Sequence, residues 1–158
     1  MPEALASGNT TVFSYRGNVT PPKSYDQWSA LIQKLTAHWV ERYGAAEVRT
    51  WFFEVWNEPN LKAFWTGAQG DYFDLYRCRV KAIKSVDDSL KVGGPVTADN
   101  QWIPAFLDYC QKNAAPVDFV STHHYPTDAF GTPGARYNDS VAACAAPRHE
   151  RYGEQSTR

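Results

Sequence analysis

Trp51-Phe52-Phe53-Glu54-Val55-Trp56-Asn57-Glu58-Pro59-Asn60 is the stretch on which the fold turns. Its first half is an apolar run of strand length. Its second half sets an amide beside a carboxylic acid. Pro59 disfavours helical backbone at Glu58 and biases that residue toward an extended form. The run therefore reads as a buried strand over residues 50–56 whose C-terminal end presents Asn57 and Glu58 together. That end of a strand is where α/β sheets and barrels do their chemistry. A carboxyl walled by Trp and Phe there suits general-acid work, giving its proton to a leaving oxygen.

Outward from this stretch, helix and strand signals alternate. Ser24-Tyr25-Asp26-Gln27 reads as a helix start with Ser24 as N-cap. Trp28, Leu31, Ile32, Leu35 and Trp39 lie three or four apart and mark the face that helix is expected to bury. Gly44 is its natural stop. After Phe64-Trp65-Thr66-Gly67 a second helix is expected over 71–86, with Phe73, Tyr76, Val80 and Ile83 inward. Lys91-Val92-Gly93-Gly94-Pro95 reads as a short strand ending in a Gly-Gly-Pro turn. A third helix over 102–112 places Ile103, Phe106, Leu107 and Cys110 inward. A third strand over 117–121 runs into His123-His124-Tyr125-Pro126.

This alternation predicts a parallel sheet with right-handed crossovers. No G-x-G-x-x-G or Walker pattern follows a strand, which disfavours a nucleotide fold. A (β/α)8 barrel fits, but one takes about 250 residues, and this chain has 158. The fold class expected is therefore α/β, an incomplete (β/α)8 TIM barrel. Residues 1–23 are loop-like, with a short strand at Thr11-Val12-Phe13-Ser14-Tyr15. From about Pro133 neither period persists, so the chain divides into a domain over 1–132 and an atypical, disordered tail over 133–158.

Bulk properties narrow the partners. Sixteen Lys+Arg against 17 Asp+Glu leave a net charge of −1. No basic run offers a nucleic-acid surface. No stretch of about 18 apolar residues exists to span a membrane. The N-terminus shows no basic start or apolar run, so no secretory signal is visible. Three sequon matches, at Asn9, Asn18 and Asn138, carry no weight without secretion. Cys78, Cys110 and Cys144 are odd in number and widely spaced, which argues against both a disulfide framework and a C-x-x-C metal site. Six Trp and nine Tyr serve either core packing or stacking on sugar rings.

In these residues the chain resembles glycoside hydrolase family 39, its β-xylosidases in particular. The resemblance is carried, in order, by Leu5-Ala6-Ser7-Gly8, Gly17-Asn18-Val19-Thr20-Pro21-Pro22-Lys23, the opening stretch through Lys62, Val92-Gly93-Gly94-Pro95 and Val117-Asp118-Phe119-Val120-Ser121. It implies a (β/α)8 barrel and a retaining mechanism with two glutamates, without cofactor or metal. On that register Glu58 matches the general acid/base at the end of the fourth barrel strand. Asn57 matches the amide that binds the sugar 2-hydroxyl. His123 and Tyr125 match site residues after the sixth strand. The substrate implied is a β-xyloside.

The same register has the chain beginning at the end of strand three and running out after strand six. The nucleophile, a second Glu at the end of strand seven, has no counterpart. Glu150 and Glu154 follow no apolar strand. A retaining site needs its two carboxyls about 5–5.5 Å apart, so the fragment alone is expected to be inactive. If Arg136-Tyr137-Asn138-Asp139-Ser140 is encoded CGA-TAC-AAT-GAC-TCA, a one-base shift near Ala135 reads Asp-Thr-Met-Thr, closer to the family's continuation. The tail is therefore read as out of frame, which resequencing the DNA tests.

Other readings stay open. Glu54, four residues before Glu58, reads as a structural carboxylate inside the barrel. His123 and His124 point to opposite faces of an extended segment and lack a third metal ligand at helical spacing. His124 has no family match. Phe64 and Trp65 either wall a sugar subsite or pack a loop. An α-L-iduronidase-like enzyme, a carbohydrate-binding remnant and an unfolded gene fragment are the alternatives to a β-xylosidase fragment.

Overall fold

The computed structural model describes residues 1–125. The chain divides into two units, Met1–His123 and His124–Arg158. Cys144, Glu150, Glu154 and the tail expected over 133–158 lie outside the described residues.

Helix α1 spans Tyr25–Tyr43, opened by Ser24, whose Oγ accepts from the Gln27 backbone N–H at 3.3 Å. Gly44 closes it at φ 85°, a conformation that costs glycine little. A single turn, α2 (Ala45–Val48), leads to strand β3 (Phe52–Glu54). Helix α3 (Gln69–Lys84) is followed by β4 (Lys91–Ala98), α4 (Ile103–Lys112) and β5 (Phe119–His123). The three strands form one parallel sheet in the order β3-β4-β5. Phe52 pairs with Lys91 and Gly93 with Phe119. Strands alternating with helices thus give the α/β architecture. Before α1, a small antiparallel hairpin joins β1 (Thr11–Val12) to β2 (Gly17–Asn18).

The core lies between the sheet and its helices. Phe53, Val55 and Val92 point toward Tyr72, Tyr76, Ile83 and Phe106, all buried. Two buried tyrosines tie helix α3 to the strands with their polar ends. The Tyr72 hydroxyl lies 3.0 Å from the Val55 carbonyl and 2.8 Å from that of Pro95, sharing one hydrogen between them. Tyr76 donates to the Pro116 carbonyl at 2.8 Å. A buried phenol carries a large apolar area and needs such a partner.

Several local expectations are corrected. Helix α1 buries Trp28, Ile32 and Thr36, whereas Leu31 and Leu35 are 37% and 36% exposed. Helix α3 packs on one flank of α1, and the leucines sit off that flank. In α4, Phe106 and Cys110 are buried while Leu107 is exposed. Gly93-Gly94-Pro95 is not a turn, because β4 continues through it to Ala98. A Cβ on Gly93 would lie 2.3 Å from the Phe119 carbonyl oxygen. This glycine therefore lets two strands approach. Cys78 and Cys110 lie in segments with helical spacing, which predicts buried thiols, but Cys78 is only partly buried and Cys110 fully so.

Candidate active site

Strand β3 ends at Glu54, and the chain then leaves the sheet through two left-handed residues, Trp56 (φ 71°) and Glu58 (φ 44°). The sequence predicts extended backbone at Glu58. Proline does keep that residue out of the right-handed helical region, but the chain takes the left-handed one. This lets the Glu58 N–H donate to the Val96 carbonyl on β4 at 2.8 Å. The Glu58 carbonyl closes a tight turn by accepting from Leu61 N–H at 3.0 Å. Backbone strain of this sort is typical of functional sites.

The Glu58 side chain, largely buried, reaches His123 at the end of β5. Oε1 lies 3.0 Å from Nδ1. This distance allows one proton between the two groups in either arrangement. An ionised carboxylate accepts from Nδ1–H, and a protonated one donates to the bare nitrogen. The partner thus accommodates Glu58 as acid and as base.

Asn57 is exposed and lines a cleft of about 360 Å³ with Val12, Phe13, Tyr15, Trp56 and Phe64. The walls are aromatic: Phe13 stands 5.7 Å from Phe64 and 5.4 Å from Tyr15, ring centre to ring centre. Apolar walls with a few polar groups are usual for a small-molecule site. Behind it, Trp56 donates from Nε1 to the Phe64 carbonyl at 2.8 Å and meets Trp65 edge-on at 5.2 Å. The open choice for Phe64-Trp65 therefore splits. Phe64 faces the cleft, and Trp65 is fully buried in the core.

Asn57, Glu58 and His123 thus lie at the C-terminal end of the sheet, Glu58 and His123 in contact. Tyr125 follows β5 by two residues, is 56% exposed and belongs to the second unit. Glu54 is exposed at the end of β3 and is separated from Glu58 by the break at Trp56. Among the described residues no three His, Cys, Asp or Glu gather as metal ligands. The wall from Phe13 and Tyr15 is absent from the sequence reading, which takes that segment as a plain strand. Two aromatics flanking one residue in a hairpin were the available signal.

The model of the family Glycosyl hydrolases family 39 matches residues 1–151. A beta-xylosidase from Caldicellulosiruptor saccharolyticus is 61% identical over 134 residues, covering 84% of this chain and 28% of that protein. A beta-xylosidase from Geobacillus stearothermophilus is 54% identical over 132 residues, covering 82% and 26%. The solved structure of a GH39 beta-xylosidase from Caulobacter crescentus superposes with a TM-score of 0.77 at 47% identity, covering 80% of this chain and 29% of that one. The chain spans about a quarter of the length of these relatives.

Proposed function

The chain belongs to glycosyl hydrolases family 39, and from that premise we propose that it carries the acid/base half of a retaining site for β-xylosides. Residues 1–132 form part of a (β/α)8 barrel, with β3, β4 and β5 as consecutive barrel strands. Glu58 protonates the glycosidic oxygen in the first step and, as carboxylate, activates water in the second. Asn57 binds the sugar 2-hydroxyl. His123 holds the Glu58 carboxyl, and Tyr125 contacts substrate or a carboxylate. The covalent intermediate requires a second glutamate across the scissile bond. The reading assigns none within these 158 residues.

The observation that carries the reading is the 3.0 Å contact between Glu58 and His123. It sits at the C-terminal strand ends, and Glu58 directly follows Asn57, which lines the aromatic cleft. Two beta-xylosidases of 54% and 61% identity favour a β-xyloside over the iduronidase alternative.

Binding and turnover by the purified 158-residue polypeptide test this. Xylobiose is expected to bind saturably. Asn57→Ala or Phe64→Ala is expected to weaken it about tenfold, equivalent to about 1.4 kcal/mol. No aryl β-xyloside is expected to turn over. Absence of xylobiose binding, or binding indifferent to both substitutions, would sink the site assignment. Turnover abolished by Glu58→Gln would instead overturn the expected inactivity.

A further inference from the structure

The opening motif contains a residue to which the proposed chemistry gives no part. Asn60 lies two positions past Glu58 and is partly buried. Its carboxamide meets β4 as a peptide group would. Oδ1 accepts from the Ala98 backbone N–H at 2.9 Å, and Nδ2 donates to the Ala98 carbonyl at 3.0 Å. The second Nδ2 hydrogen goes to Gln101 Oε1 at 3.1 Å. These partners determine which end of the amide is oxygen.

The geometry has a cause in the sheet. Strand β3 pairs with β4 only over Phe52–Glu54, opposite Lys91–Gly93. Beyond that, β4 runs on to Ala98 with its β3-facing groups in need of partners, since a buried peptide group left unpaired forfeits its hydrogen bonds to water. Val96 is satisfied by the Glu58 N–H, and Ala98 by the Asn60 side chain. The segment carrying Glu58 is therefore tethered to β4 on both sides. On its far side β4 binds β5 through Thr122 Oγ1, which donates to the Thr97 carbonyl at 2.7 Å. The Asp99 N–H donates to the His123 carbonyl at 2.8 Å. One connected path thus runs from Asn60 through β4 to His123, and back to Glu58 across the 3.0 Å contact.

We infer that Asn60 is a positioning residue, its carboxamide standing in for a strand residue opposite Ala98 and so holding the Glu58 carboxyl against His123. The inference rests on the reading of Glu58 as acid/base, because only then does this placement serve a reaction. Loss of the amide leaves the Glu58 turn with one tether, and its carboxyl leaves the imidazole.

The His123 ring nitrogens report that contact by long-range ¹H–¹⁵N spectroscopy of the 158-residue chain at one fixed pH. His123→Gln assigns the signals, and Glu58→Ala supplies the pattern of a severed contact. Asn60→Ala is expected to shift the His123 pattern to that of Glu58→Ala. Asn60→Asp keeps the acceptor for Ala98 N–H and loses both donors, so it should fall between wild type and Asn60→Ala. Thr36→Val removes a buried hydrogen bond inside α1, and is expected to lower Tm while His123 stays unchanged. A wild-type His123 pattern in Asn60→Ala would overturn the inference, as would an equal shift in Thr36→Val. Should Asn60→Ala fail to fold, Asn60→Asp decides alone: movement toward the severed pattern supports the inference and its absence overturns it. Xylobiose binding on the same samples separates the two readings. Its absence in the wild type removes the function and leaves the Asn60 coupling standing.

Discussion

Gly93 shows how much a single position can hold. Its missing side chain lets the Phe119 carbonyl come within 2.3 Å of where a Cβ would stand. Backbone cannot yield as a flexible side chain can, so the whole β4–β5 pairing must shift. Gly93→Ala is expected to destabilise by about 1–3 kcal/mol or more, the usual cost of overpacking. A urea midpoint unchanged within error would refute this. The sequence shows Gly93-Gly94-Pro95 plainly but reads it as a turn, because Gly and Pro are the common turn residues. Only the neighbouring strand reveals the close approach. Glu58 is the converse case. Its candidacy was legible from the residues around it, while its left-handed backbone came from a hydrogen bond to Val96, 38 residues away.

At the scale of elements, periodicity located α1, α3, α4 and the three strands to within a few residues. It could not say which part of each apolar stripe meets a neighbour. In α3, Phe73, Tyr76, Val80 and Ile83 are buried as their spacing predicts. In α1 the buried face is rotated toward Thr36, away from Leu31 and Leu35. Helix α3 also contains an unexplained cost. Arg79 has its Nε sealed from solvent with no hydrogen-bond partner among the described residues, and burial pulls its guanidinium below the usual range. Leaving such a group unsatisfied costs on the order of 1–3 kcal/mol. Arg79→Leu is accordingly expected to raise Tm by several degrees. A lowered Tm would mean that the charged group has a stabilising partner in solution.

For the whole molecule, the sheet has two unlike faces. Helices cover one. The other presents Phe52, 62% exposed, edge-on to Phe119 at 5.2 Å and capped by the Lys91 ammonium at 4.6 Å. Between sheet and helices lie groups whose ionisation opposes folding at alkaline pH. Burial pushes the Cys110 thiol up to about 12 and raises the Tyr72 and Tyr76 phenols as well. Burial, then the bond to Asp74, brings Tyr109 to about 12. The folded values exceed those of the unfolded chain, near 9 for thiol and 10 for phenol. Above pH 9 the unfolded state therefore loses protons first. The contribution of these groups to stability is level below about pH 9 and falls as pH rises toward 12, by up to about 1.4 kcal/mol per pH unit for the buried Cys110 thiol. Cys110→Ala should flatten the fall between pH 9 and 10 in thermal melts. An equally steep fall in that variant would assign it to other groups.

By itself the sequence determined the order of elements, the parallel α/β class, the family and the candidacy of Asn57, Glu58 and His123. The element order, the class and the candidacy of Glu58 follow from local spacing and residue types, whereas the family and the candidacy of His123 and the role of Asn57 come from the resemblance that the ordered motifs carry. Only the tertiary structure decided that Glu58 meets His123, that Phe13 comes back to wall the cleft with Phe64, and that Asn60 completes β4. Each joins residues 38 to 65 positions apart. Such contacts depend on how three strands align and where one of them stops, which no local period encodes.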